Sequence, residues 1–298
     1  MLYEASTCGA IPIIRNLEEY YDNELLYSVC GIFNGTSNFI LTKIFDENLS
    51  YGVALKQAQD LGFAETDPTS DVGGFDAKYK LCIVAAHAYG LFLNPKEVFN
   101  YGIEHLSDHD IRYAREKGFK IKLVPTAVKL NDKQVTLFVM PQFVGKDNYL
   151  YNVDNENNGV IVEAAFADKQ FFYGKGAGGH PTGSAVLSDI SALTYAYRYE
   201  YKKYLQGEKT SYTTDIELEI YLKYEDEKDI KNFKFNSISE KHFAATHNYI
   251  IGTITLSDLI KAKEVLNNKT VSIINTGRSI VLAKKDIIKK SLADAILR

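Results

Sequence analysis

Phe119-Lys120-Ile121-Lys122-Leu123-Val124 and, past the turn former Asn131-Asp132, Val135-Thr136-Leu137-Phe138-Val139-Met140 set the fold class. Both runs follow a period of two, and similar runs continue to Tyr173, broken by turn-type residues such as Asn157-Asn158-Gly159. That pattern predicts an antiparallel sheet or meander. Working outward, the chain becomes helical on both sides. Upstream, an apolar strand is expected over Leu25–Phe33 and a polar helix over 15–23. A helix opens near Phe39, and Ser50 caps another over 51–61 that Gly62 stops. A helix over 75–89 lines up Phe75, Tyr79, Cys82, Ile83 and Ala86, and a short one follows near Asp108–Lys117. Downstream, Pro181 suits the first turn of a helix running to about 205. The fold class is therefore α/β (α+β): a mixed, largely antiparallel sheet with helices.

A linker over Gly207–Ser211 divides the chain into 1–207 and 212–298. The second part reads as a separate small unit: a strand at Ile216–Lys223, a strand pair around His247-Asn248, a helix capped by Ser257, and a last strand at Thr270–Ile274. The 298 residues give about two domains. With 34 Lys+Arg against 38 Asp+Glu the net charge is −4, which argues against a nucleic-acid surface. Three cysteines, Cys8, Cys30 and Cys82, form no disulfide framework or zinc ribbon, so a reduced, cytoplasmic chain is expected. No apolar run reaches the roughly 18 residues that span a bilayer, and Met1-Leu2-Tyr3-Glu4 has no signal-peptide pattern. The small residues of Glu4–Pro12 are an unusual way for a domain to begin, and a preceding part is expected.

The chemistry concentrates in Gly62-Phe63-Ala64-Glu65-Thr66-Asp67-Pro68-Thr69-Ser70-Asp71-Val72-Gly73-Gly74-Phe75-Asp76-Ala77-Lys78-Tyr79-Lys80. Asp76 and Lys80 lie four apart and share a helix face. They are either a surface ion pair, worth only tenths of a kcal/mol, or part of a polar pocket. In the pocket reading, Glu65 and Asp71 receive an ammonium group and Asp76 orients Lys80 toward a reacting oxygen. A calcium loop is not supported, since the EF-hand ligand spacing is missing. Gly174-Lys175-Gly176-Ala177-Gly178-Gly179 contains G-x-G-x-x-G but lacks the surrounding βαβ unit, so it reads either as a strand-to-helix turn or as an anion or nicotinamide contact. His105 and His109 are i,i+4 and read as a solvated helix start rather than a metal site.

Four stretches together resemble homoserine dehydrogenase. They are Glu4–Pro12; Gly31-Ile32-Phe33-Asn34-Gly35-Thr36-Ser37-Asn38; Ala58-Gln59 through Lys80, which follows the family's Ala-Gln-x-x-Gly-aromatic-Ala-Glu-x-Asp-Pro-x-x-Asp-Val-x-Gly-x-Asp-Ala-x-x-Lys; and Gly174–Asp189. The resemblance covers about 1–200. It implies NAD(P)-dependent interconversion of homoserine and aspartate 4-semialdehyde, and a homodimer. It implies substrate binding by Glu65, Asp71, Thr36 and Gly35, catalysis by Lys80 with Asp76, and a nicotinamide contact at Gly176, Ala177 and Gly178. It also implies a structural sodium ion on Glu4, Thr7, Gly9 and Ile11. The family's nucleotide-binding half is not in this sequence, so little activity is expected of this chain alone. The second part weakly resembles an ACT regulatory domain. The rival readings are an amino-acid-binding regulator and a dimerisation module without hydride chemistry.

Overall fold

The computed structural model describes residues 1–298 except 23–24, 206–208, 245–246, 279 and 283–298. The helices are α1 Ile13–Glu18, α2 Gly35–Glu47, α3 Tyr51–Asp60, α4 Thr69–Val72, α5 Phe75–Tyr89, α6 Asp108–Glu116, α7 Gly179–Leu193, α8 Lys202–Leu205, α9 Glu227–Ile230, α10 Leu256–Lys261 and α11 Lys263–Leu266. The strands are β1 Leu26–Ile32, β2 Phe99–Asn100, β3 Lys120–Asn131, β4 Gln134–Val144, β5 Asn157–Ala164, β6 Asp168–Lys175, β7 Ser211–Tyr212, β8 Ile216–Tyr224, β9 Phe235–Phe243, β10 Asn248–Thr255, β11 Ser272–Asn275 and β12 Val281–Leu282. Among the described residues they join into one open mixed sheet in the order β6-β5-β1-β3-β4-β11-β8-β10-β9, with β2 and β7 beside β4 and β12 beside β8.

The hairpin expected at Asn131-Asp132 forms, and the Asn131 side chain accepts the Lys133 N–H at 2.9 Å. β4 does more than alternate. Its Val135, Leu137 and Val139 enter the core beneath the helices, with Ile40, Leu81 and Val84. Its Phe138 and Met140 enter a second core built on Ile216, Leu218, Ile220 and Leu222 of β8. An apolar run without polar interruption is what a strand covered on both faces requires. The second unit is thus joined to the first rather than set apart. β11 pairs parallel with β4 at Asn275–Gln142, and the Ser272 hydroxyl donates to buried Asp110 on α6 at 2.8 Å. Within that unit, strand, short helix, two strands, two short helices and strand give the order β11-β8-β10-β9, the arrangement of a ferredoxin-like split β-α-β sheet.

Several expectations change. Asn157-Asn158-Gly159 is not a turn but the start of β5, paired with Lys175, Gly174 and Tyr173. The reason is that Asn158 is buried and its amide donates to the Ile32 carbonyl at 2.6 Å, so the asparagine serves a tertiary contact instead of a local bend. The helix expected to reach 205 stops at Leu193, and α8 is a separate turn. After a turn at 194–196 the tyrosines alternate along an irregular stretch, and Tyr199 and Tyr201 both pack on His87, which itself bonds the Tyr3 hydroxyl at 2.8 Å. The first helix is shorter than expected, Ile13–Glu18, and α10 is capped by Thr255, whose hydroxyl accepts the Asp258 N–H, rather than by Ser257. The inferred linker falls partly on residues 207–208, which lie outside the described residues.

Candidate active site

The site is built where α2 begins. The chain leaves β1 and Asn34 takes the N-cap of α2, its side-chain oxygen accepting the Ser37 N–H at 2.8 Å. This capping starts the helix four residues before the expected Phe39 and places Gly35 and Thr36 in its first turn. The Thr36 hydroxyl donates to the Phe63 carbonyl at 2.5 Å and so ties α2 to the acidic loop. Gln59 braces the same loop from α3, its amide donating to the Glu65 carbonyl at 3.1 Å. Gly74, at φ +77°, sits where a side chain would be strained and turns the chain from α4 into α5. Asp76 and Lys80 then emerge one helical turn apart, while Lys78 points to the other side, onto Asn100 at 2.7 Å.

These elements enclose a cleft of about 650 Å³. Its walls include every residue that the reading of the sequence assigned to substrate, catalysis and cofactor: Gly35 and Thr36 from α2, Glu65, Asp71, Asp76 and Lys80, and the turn Gly176-Ala177-Gly178 from the opposite side. The Lys80 ammonium lies 2.8 Å from Asp76 Oδ2 and donates to the Phe33 carbonyl at 3.0 Å. The side chains of Asp76 and Lys80 keep 30% and 19% of their exposure, so the pair faces the cleft rather than bulk water. Burial raises the Asp71 carboxyl above its usual range; the amide of Asn34 opposes this, the charge of Asp76 adds to it, Lys80 opposes it, and Glu65 adds again. A cleft with this many carboxylates and one central ammonium suits a small substrate carrying an amino group and a hydroxyl.

The glycine turn is fixed by close approach. A side chain at Gly176 would fall 1.1 Å from the Asn158 side-chain oxygen, and one at Gly9 would fall 2.6 Å from the Gly176 carbonyl carbon. The N-terminal loop therefore packs against the turn, with the Ala10 N–H donating to the Lys175 carbonyl at 3.1 Å. The turn joins β6, an antiparallel strand at the sheet edge, to α7, so it is not the first turn of a βαβ dinucleotide unit.

The reading of the sequence passed over three residues. Asn34 donates to both Asp71 (2.6 Å) and Asp76 (2.9 Å). Glu156 lines the cleft beside the glycine turn, and Asn158 supports that turn. Asn34 stood inside a quoted motif without a role of its own; Asn158 read as part of a turn, and Glu156 beside it carries no local signal.

The proposed sodium ligands fare differently. Glu4 is buried, and its two carboxylate oxygens accept the N–H groups of Ile14 and Arg15, each at 2.9 Å. The carboxylate thus serves as an anionic cap at the start of α1, and the Ile11 carbonyl accepts the Ile13 N–H at 2.8 Å. Thr7, Gly9 and Ile11 lie on the loop that joins Glu4 to α1. Among the described residues no group of three or more His, Cys, Asp or Glu side chains is placed to hold a metal ion. His109 stacks on His247 at 3.9 Å.

Comparison with known proteins gives the same direction. A family model described as homoserine dehydrogenase matches residues 12–191. The homoserine dehydrogenase of Bacillus subtilis (strain 168) is 41% identical over 191 residues, 64% of this chain and 44% of that protein. That of Helicobacter pylori is 42% identical over 188 residues, 63% of this chain and 44% of that one. A homoserine dehydrogenase structure from Thiobacillus denitrificans superposes with a TM-score of 0.77 at 29% identity, covering 92% of this chain and 69% of that chain. A hyperthermophilic archaeal homoserine dehydrogenase mutant in complex with NADPH gives 0.57 at 28% identity, covering 66% and 56%. The chain spans about 44% of the length of these curated relatives. With the matched residues carrying the helices, loop and glycine turn that form the cleft, the chain belongs to the homoserine dehydrogenase family.

Proposed function

We propose that this chain supplies the substrate-binding and catalytic half of an NAD(P)-dependent homoserine dehydrogenase, interconverting L-homoserine and L-aspartate 4-semialdehyde. One observation carries the reading: the residues that motif and chemistry single out converge on one cleft. Glu65 and Asp71 receive the substrate ammonium, with Thr36 and Gly35 forming the wall beside it. Lys80, held by Asp76 and the Phe33 carbonyl, hydrogen-bonds the reacting oxygen. In the oxidative direction Lys80, its own proton passed to Asp76 and on to solvent, accepts the hydroxyl proton as the C–O bond gains double-bond character, and in reduction it returns that proton by the same route. When bound, NAD(P) accepts or donates the hydride. Gly176, Ala177 and Gly178 fit the flat nicotinamide side because the wall there is bare backbone.

The ferredoxin-like arrangement of β8–β11 suits an ACT-like regulatory module over 212–298. β6, at the sheet edge and carrying Phe171 stacked on Tyr149 of the turn 149–152, suits a second copy of the chain as partner. Free Cys8, Cys30 and Cys82 suit a cytoplasmic setting, and no helix among the described residues is long and apolar enough to cross a membrane.

Calorimetric titration with L-homoserine tests the reading. The full chain is expected to bind it and to lose binding in Asp71→Asn. Adding the nucleotide-binding half of a relative, fused or in trans, should then restore NAD(P)-linked turnover. Binding without turnover under those conditions would favour an amino-acid-binding regulator, and no binding would favour a dimerisation module.

A further inference from the structure

We propose that Asn34 is a positioning residue of the cleft: its amide N–H₂ bridges Asp71 and Asp76 and holds both as acceptors facing the substrate. The proposal rests on the cleft being the homoserine site. Asn34 is only 5% exposed, and both amide hydrogens and the side-chain oxygen are engaged. One hydrogen goes to Asp71 Oδ1 at 2.6 Å and the other to Asp76 Oδ2 at 2.9 Å. The oxygen accepts the Ser37 N–H at 2.8 Å. A flipped amide would set oxygen against two carboxylates and N–H₂ against an N–H, so the network fixes the orientation.

The helix cap and the carboxylate geometry are therefore one device. The turn that starts α2 aims a neutral double donor at two acidic groups that would otherwise repel. Asp76 shares its Oδ2 between Asn34 and the Lys80 ammonium, so a bond from Asn34 also sets where Lys80 stands. Asp71 faces Asp76 and Lys80 from α5 and Glu65 from the loop, and Asp67 and Glu156 line the same cleft. Burial drives its carboxyl upward, and the Asn34 bond is the strongest influence opposing that. A neutral donor is the group required: a lysine or arginine here would compete with the substrate ammonium, and a carboxylate would force protonation.

Asn34→Ser and Asn34→Asp separate positioning from capping. Both replacements are good N-caps, so thermal midpoints near that of the parent chain are expected. The Asp71 carboxyl is followed by ¹³C NMR in the full chain, its signal assigned by its loss in Asp71→Asn. The Asp71 midpoint is expected to move to higher pH in Asn34→Ser and further in Asn34→Asp. L-homoserine binding at neutral pH should weaken roughly tenfold in Asn34→Ser, the loss of a hydrogen bond to a charged group, and more in Asn34→Asp. Its pH optimum should move to the alkaline side in both. An Asp71 midpoint unchanged in Asn34→Ser overturns the proposal. So does loss of folding in both variants, which would leave Asn34 a structural residue alone. If the parent chain binds no homoserine while the Asp71 midpoint still moves, the substrate reading falls and the positioning role of Asn34 stands.

Discussion

Two lysine–aspartate contacts, made from the same residue types at nearly the same distance, have different work. Lys80 lies 2.8 Å from Asp76, and Lys122 lies 3.1 Å from Asp154. The side chain of Lys80 is 19% exposed and that of Lys122 is 1% exposed. The remaining acceptors of Lys122 are all protein: the Val153 carbonyl at 2.6 Å and the Asn38 side-chain oxygen at 3.1 Å. Burial pushes the Lys122 ammonium down to about 8, with Asp154 opposing. Burial alone would raise Asp154, but Lys120 and Lys122 more than reverse this and hold it below the usual carboxylate range. The lesson is that an ion pair is read by what else its charges face. Lys80 faces the open cleft proposed to receive the substrate. Lys122 faces the segment 153–157 and, with Asn38 donating to the carbonyls of Val153, Asn155 and Asn157, fastens it to α2. That fastening is what carries Glu156 to the cleft.

The comparison breaks most clearly under exchange of the two lysines' losses. Lys80→Ala should lower turnover, measured with the nucleotide-binding half supplied, by about a hundredfold or more, the usual scale of a lost proton-transfer group. Its unfolding free energy in urea should stay within about 0.5 kcal/mol of the parent. Undiminished turnover would remove Lys80 from the mechanism. Lys122→Met should do the opposite. It leaves buried acceptors without their donor and should cost about 3 kcal/mol of stability, while homoserine affinity of the folded protein falls much less than in Lys80→Ala. A stable Lys122→Met with a dead cleft would mean that the buried pair also serves the site.

How much of this could be read in advance follows from where each signal sits in the chain. The acidic loop and α5 were legible because Glu65, Asp71, Asp76 and Lys80 lie within sixteen residues, with helical spacing for the last two. The hairpin β3–β4 was legible because its alternation and turn residues are local. The two-sided burial of β4 stayed hidden, since the second core that claims Phe138 and Met140 comes from residues 216 onward. Asn158 read as a turn because asparagine favours bends, and the Ile32 carbonyl that claims it is 126 positions away. Lys122 read as the polar half of an alternating strand, since nothing local marks a buried lysine. The partners of Glu4 stayed hidden, because the N–H groups that it accepts belong to a helix that the sequence seemed to start later.

The smallest expected effect sharpens the contrast through pH. Lys122 ionises at about 8 in the folded chain against an ordinary 10.5. Between those values the unfolded chain holds more protons than the folded one, so unfolding free energy rises with pH, by at most about 1.4 kcal/mol per pH unit for one such group. Lys203, also pushed down to about 8 by burial, acts with the same sign. Buried tyrosines such as Tyr51 and Tyr113, raised by burial to about 12, act with the opposite sign only above about 10, where free tyrosine ionises. The thiols of Cys8, Cys30 and Cys82, raised by burial to about 12, 12 and 11, also act with the opposite sign from about 8.5 upward, where a free thiol ionises, so the share of Lys122 is read over pH 8 to 10 as a difference between the parent chain and a variant. Urea unfolding at pH 8, 9 and 10 should show the stability of the parent chain relative to Lys122→Met rising with pH. Equal slopes in the parent and Lys122→Met would show that Lys122 carries no burial cost.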